Sequence, residues 1–222
     1  PYASLDGIWL YRLEVLGIYI FLLLFLYYLK TRRFRNLVVC FSCLLCLGIY
    51  HTVMRWYDRP CPSLVFYNVR GCPAIHCIAE DGTSWLNYAD TLSDKRRLQA
   101  VAANYWRRHQ LLPPIEVTAD CQNVDFCRHQ QIVFYHGCRI CMVTDNRWRN
   151  KSAASPLFIN YMYLCKGYNG RLEELTGLFS PSCILLDASL SDDRKQFFRE
   201  ECKRLHLHFI TLSEEGSVRF LL

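Results

Sequence analysis

Thirteen cysteines and seven histidines are the residues of this chain best suited to metal or redox chemistry. Cys138-Arg139-Ile140-Cys141 has the two-residue gap of a zinc knuckle, and Cys121, Cys127, His129 and His136 lie near it in sequence. The surrounding residues read as a strand, however, and side chains three apart on a strand point to opposite faces. Packing is the favoured reading of the pair. Cys40, Cys43 and Cys46 recur at every third residue of an apolar run, which on a helix makes a stripe of small side chains rather than a ligand set. The other ten cysteines are irregularly spaced and form no recognisable disulfide framework, so the redox compartment stays open.

Nucleophile and phosphate motifs are equally incomplete. Asp187-Ala188-Ser189 has suitable residue types but lacks Gly-x-Ser-x-Gly, and the favoured reading is a strand-ending Asp followed by a helix-capping Ser. Gly167-Tyr168-Asn169-Gly170 precedes a helix without the Lys-Ser/Thr of a phosphate loop, and is expected to be a turn. Lys95-Arg96-Arg97 and Arg107-Arg108-His109 have the charge to touch nucleic-acid or lipid phosphates, although such runs on a helix are usually a solvated face. From these motifs no catalytic, cofactor-binding or metal residue is assigned, and no cofactor is expected.

Charge and hydropathy divide the chain. Residues 1–57 hold six basic and two acidic side chains, a net +4, while residues 58–222 hold 20 and 18, a net +2. The basic total of +6 therefore belongs mainly to the apolar part, and the remainder lacks the overall positive excess of a strong nucleic-acid binder. Residues 8–29 are apolar apart from Arg12 and Glu14. A helix of that length spans roughly 33 Å, enough to cross the hydrocarbon core. A second run, residues 37–57, ends on Trp56 and Tyr57, which suit the membrane interface. Its uncharged stretch is short, so an interfacial or re-entrant segment is the alternative. The first run is a poor signal peptide, because its cations follow the apolar stretch instead of leading it. Beginning at Pro1, the chain is expected to be a slice of a longer polypeptide.

After Pro60 and Pro62 the periodicity changes. Residues 63–69, 74–79 and 83–88 read as an antiparallel meander turning at Asp81-Gly82, followed by an amphipathic helix over 92–109. Pro113-Pro114 ends that helix, and a polar, cysteine-containing stretch leads to strands over 131–136 and 139–143. Further strands are expected over 158–164, 183–187, 207–212 and 217–222. Helices are expected over 171–179 and after Ser191, the latter with Asp192 and Asp193 in its first turn and Lys203 and Arg204 in its last. The fold class is α/β: two transmembrane helices, then sheets with helices packed on their faces.

The order of these features resembles the C-terminal part of ComEC family competence proteins, the inner-membrane channels of natural transformation. Residues 66–75, Phe-Tyr-Asn-Val-Arg-Gly-Cys-Pro-Ala-Ile, look like the strand where that family has Asp-Val-Gly-Gln-Gly-Asp-Ala, with Val69, Gly71 and Ala74 matching. Residues 136–145, ending on Asp145, look like its later Gly-Lys-Arg, apolar run and Asp. Residues 164–170 fall where it has a strand leading into His-His-Gly-Ser, and 181–222 look most like shortened forms from the Bacteroides group. The resemblance implies a reduced domain like the metallo-β-lactamase fold over 58–222, behind a transmembrane hairpin over 1–57. The His-x-His-x-Asp-His cluster that binds metal in that fold is missing: His109 is the one histidine between Tyr88 and Pro113, and Asp145 alone stands where a bridging carboxylate belongs. The expected domain is therefore without metal and not an enzyme. The implied partners are membrane lipid, single-stranded DNA through the full-length channel, and other competence proteins. The rivals are a metal-dependent phosphodiesterase acting on incoming DNA and a membrane-anchored interaction module unrelated to DNA.

Lys30, Arg32, Arg33 and Arg35 crowd the seven residues between the apolar runs, which places that loop in the cytoplasm and the domain after Asp58 outside it, in the plasma membrane. A periplasm-active reporter fused after Leu222 is expected to be active and a cytoplasm-only reporter silent; the opposite pattern rejects the hairpin.

Overall fold

The computed structural model describes residues 10–88, 95–109, 111–117 and 119–222. Its contacts divide the chain into two compact units, one built on the first two helices up to Arg59, with residues 105–110 grouped in it, and one on two β-sheets from Pro60 onward.

In the first unit, α1 (Arg12–Thr31) and α2 (Phe34–Tyr57) are both long and apolar enough to cross a membrane. Their outward residues stay uncovered: Leu16, Leu23, Leu26, Phe41 and Leu45 are all half or more exposed. Such an apolar belt is costly in water and suited to lipid. Polar atoms at one end tie the pair together. Glu14 is buried, accepts from the Tyr11 backbone N–H at 2.9 Å and meets His51 Nδ1 at 2.7 Å. Arg32 adopts left-handed backbone (φ 47°) and its N–H closes α1 onto the Tyr28 carbonyl, which turns the chain into the basic loop.

The second unit has a five-stranded sheet in the order β12-β1-β2-β3-β4 and a seven-stranded sheet in the order β11-β10-β9-β8-β7-β6-β5. β1 (Ser63–Phe66), β2 (Ala74–Ile78) and β3 (Ser84–Tyr88) form the expected antiparallel meander. β12 (Val218–Leu221) joins β1 antiparallel, and β4 (Ile115–Val117) joins β3 parallel. In the second sheet β5 (Cys121–Gln122), β6 (Phe126–His129), β7 (Ile132–Tyr135) and β8 (Cys138–Val143) run antiparallel in sequence order. Then β8, β9 (Leu157–Leu164), β10 (Phe179–Leu186) and β11 (Phe209–Thr211) are parallel.

One core lies between the sheets, where Leu64, Phe66, Ile75 and Trp85 of the first meet Val133, Tyr135, Ile140 and Tyr163 of the second. A second core covers the other face of the larger sheet, where Met162, Leu164, Ile184 and Leu186 pack under Leu172 and Leu175 of α4 (Leu172–Thr176) and Phe198 and Cys202 of α5 (Asp192–Arg204). Cys138 borders the first core and Cys141 belongs to the second, so the two cysteines do face opposite ways. The remaining helices are α3 (Lys95–Arg108), which buries Leu98 and Ala102, and the single turn α6 (Leu212–Glu215).

Several expectations are corrected. The polar stretch after Pro113-Pro114 contains β4, β5 and β6, whose backbone pairing compensates for weak local patterning. α4 ends at Thr176, and Phe179 begins β10, four residues before the strand expected at 183. Ser191 caps α5 as expected, its hydroxyl accepting from the Arg194 N–H, whereas Ser189 bonds Asp187 and is not a helix cap. Ile8, Trp9 and residues 92–94, at the starts of two expected helices, lie outside the described residues.

His76 on β2 is fully buried, with Nδ1 2.8 Å from the Tyr67 hydroxyl, and burial pushes its pKa down to about 3. The ring is neutral in the fold, whereas the unfolded chain takes up the proton near pH 6.5. Its contribution is thus complete above about pH 6.5 and lost on acidification at up to about 1.4 kcal/mol per pH unit until about pH 3. Urea midpoints of the detergent-solubilised chain are expected to fall between pH 7 and 5, and to fall less in His76→Gln.

Candidate anion-binding cleft

The second sheet decides where polar chemistry can stand. Val143, Leu164 and Leu186 form one row across β8, β9 and β10. The next row, Thr144, Cys165 and Asp187, keeps the pairing through Cys165 N–H to Val143 O and Asp187 N–H to Leu164 O, each 3.0 Å. Beyond it the strands open into loops. Crevices outside the carboxyl ends of parallel strands are the usual ligand sites of α/β sheets.

Asp187 anchors this end. It is fully buried and accepts from the Tyr163 hydroxyl, the Ser189 hydroxyl and, at 2.8 Å, the Ser189 N–H. Burial pushes its carboxyl above the ordinary value against the opposing pull of those hydrogen bonds. Tyr163 is driven well above the usual phenol range by burial and by the neighbouring carboxylate. The Ser189 hydroxyl also accepts from the Lys166 N–H at 3.3 Å, so Asp187 fixes the loops after β9 and β10 together. Asp187 thereby acts as a clamp, and Ser189 has no histidine among its hydrogen-bond partners.

Asp145 is equally committed. Arg147 donates to it from its backbone N–H at 2.9 Å, from Nε at 3.0 Å to both oxygens, and pairs through Nη2 at 2.8 Å. Partial burial raises its pKa, but the Arg147 hydrogen bonds and charge outweigh that and hold it below the ordinary value.

A cleft of about 540 Å³ opens over these loops. Four cations from four separate elements line it: Arg70 in the β1–β2 turn, Arg97 on α3, Lys166 after β9 and Arg194 in the first turn of α5. Among the described residues the lining contains no carboxylate. Arg194 is built in: Nη2 donates to the carbonyls of Tyr168 (3.3 Å) and Gly170 (3.0 Å), and the guanidinium lies 4.4 Å from the Phe198 ring centroid. Arg70 and Lys166 are exposed.

Motif reading passed over Arg70, Lys166, Ser189 and Arg194 as cleft residues and took Arg97 as part of a charge run. The signal it had was slight: Arg70-Gly71 and Lys166-Gly167 each set a cation beside a glycine of positive φ, at +88° and +119°. The expected Gly167–Gly170 turn is present, and it borders the cleft.

The divalent metal that the metallo-β-lactamase resemblance implies needs several deprotonated ligands converging on one point. Here the cleft presents ammonium, guanidinium and hydroxyl groups, and both nearby carboxylates are engaged by Arg147 or by Tyr163 and Ser189. Among the described residues no three His, Cys, Asp or Glu side chains group to hold a metal. The donor set does not fit such an ion.

The fold and cleft define a mixed α/β domain with a cationic mouth at its parallel strand ends, carried behind two apolar helices. A family model described as the ComEC C-terminal domain matches residues 64–222, most of the chain, and the chain belongs to the ComEC family of competence DNA-uptake proteins. No curated protein and no solved structure matches it.

Gly167 holds the cleft's floor. A Cβ there would sit 2.2 Å from the Thr144 carbonyl oxygen, on a backbone with φ +119°. Gly167→Ala is expected to destabilise the domain by about 1–3 kcal/mol, as a lowered thermal midpoint. Gly137→Ala, at φ +79° in open space, is expected to cost less.

Proposed function

We propose that this chain is the C-terminal portion of a multi-pass plasma-membrane channel that internalises single-stranded DNA during natural transformation. The observation that carries the reading is the ComEC C-terminal domain match over residues 64–222, directly behind two helices able to span a bilayer. The soluble domain is of the metallo-β-lactamase type in reduced form, as its two face-to-face sheets and the helices over the larger one support. It guides the strand or stabilises the assembly without cleaving DNA, since its strand-end groups are clamped carboxylates and cations. The helices lie in lipid with the 30–36 loop in the cytoplasm, and the domain stands on the other side, within reach of other competence proteins. The likeness of residues 181–222 to the shortened Bacteroides-group forms supports a reduced type of this domain.

Deleting the full-length gene in a naturally transformable host is expected to abolish DNA entry into the cytoplasm while capture at the surface persists. Normal transformation of the deletion strain rejects the channel. In parallel, the full chain in detergent is expected to leave single- and double-stranded DNA intact with added zinc or manganese. Metal-dependent cleavage lost in Asp145→Ala would establish the phosphodiesterase reading instead.

A further inference from the structure

We infer that the cleft bordered by Arg70, Arg97, Lys166 and Arg194 is a phosphate-binding site for the backbone of a single nucleic-acid strand, with Arg70 and Lys166 as its contact cations. The choice of a nucleic-acid strand rests on the function proposed above; the cleft's anion selectivity rests on its own residues. Its volume of about 540 Å³ is that of a ligand site rather than a surface dimple. Arg70, Lys166 and Arg194 set like charges along one crevice, and a phosphate relieves their mutual repulsion. Among the described residues, no carboxylate pairs with Arg70 or Lys166. Ser191, whose hydroxyl oxygen accepts from the Arg194 N–H, adds an O–H donor along the same wall.

The geometry also separates the roles of the cations. Arg194 spends one nitrogen on two loop carbonyls and stacks on Phe198, so it is a fixed charge that holds the 168–170 loop. Lys166 has its backbone N–H tied to Ser189 while its side chain is exposed, a mobile ammonium on a stationary base. Arg70 leaves a turn closed by Cys72 N–H to Val69 O at 3.1 Å and stands beside Gly71. The one aromatic residue of the lining, Tyr168, is buried, with its hydroxyl bonded to the Arg171 carbonyl at 2.8 Å. Among the described residues no ring is therefore offered for base stacking, and recognition falls on phosphates without regard to sequence.

The test uses the full chain in neutral detergent and a fluorescent oligothymidylate, with anisotropy recorded across a salt series. Arg70→Gln and Lys166→Gln are each expected to weaken binding about tenfold at low salt. Each is also expected to lower the slope of log K against log salt by about 0.7. Lys203→Gln, an equal charge change in the last turn of α5, is expected to leave both quantities unchanged. Oligothymidylate and mixed-sequence oligonucleotides are expected to bind alike, and millimolar inorganic phosphate to compete weakly.

Unchanged affinity and slope in the Arg70→Gln, Lys166→Gln double variant, with unfolding midpoints matching the parent, overturn the site. Equal losses in Lys203→Gln overturn it as general charge attraction. If the double variant loses binding to anionic-lipid vesicles but keeps that to the oligonucleotide, the ligand is a lipid headgroup and the nucleic-acid assignment falls. Normal transformation of the deletion strain would sink the channel and leave the measured cleft binding standing, so the two readings fail separately.

Discussion

The carboxyl-terminal halves of β8, β9 and β10 are buried on both faces, and that constraint orders the rest of the second unit. Along the end of β9, Tyr163 faces the inter-sheet core while Met162 and Leu164 face the helices, so residues 162–164 leave no place for a solvated polar group. An unpaired polar atom placed there would cost several kcal/mol. Polar chemistry is displaced to the strand ends, and even there the first carboxylate, Asp187, persists because Tyr163 and Ser189 satisfy it. Those bonds join the loops after β9 and β10, which brings Lys166 and Ser189 to the same opening.

Elements with a strong local period were legible in the sequence, and those that depend on distant partners were not. The apolar runs of α1 and α2, the β1–β3 meander around Asp81-Gly82 and the capped α5 each carry their own signal within about twenty residues. β5 is two residues long and polar, and β4 alternates weakly; both exist because β6 and β3 offer them an edge. β12 was recognised as a strand, but nothing local to residues 218–221 names β1, some 150 residues earlier, as its neighbour. The cleft is hidden for the same reason. Its cations sit at 70, 97, 166 and 194, one on each of four elements, and only the fold makes them a group.

Individual motif matches were weak, yet the order of features was informative because order reflects topology. A strand near residue 66, a hairpin, a strand into Asp145 and a strand into Lys166-Gly167 is a sequence of positions in two sheets, and it survives the exchange of individual side chains. Function survives such exchange less well. Asp145, just past the end of β8, has Arg147 as its partner two residues on, and a carboxylate bound bidentately by a guanidinium has little lone-pair capacity left for a metal.

The electrostatics of the strand ends turn on what each charge is paired with. The carboxylates point inward or are covered, and their hydrogen bonds are spent holding loops; the cations of the crevice come from elements those loops fix in place. Such an arrangement is unfavourable on its own, because like charges gathered around one concave opening repel more strongly than the same charges spread over a convex surface. Among these groups Arg194 shows how the cost is limited: two carbonyl oxygens and an aromatic face neutralise part of its field. The Ser191 hydroxyl and the exposed ends of Arg70 and Lys166 leave the remaining field directed into the opening, where the group that lowers it is an anion and the group that raises it is a divalent cation.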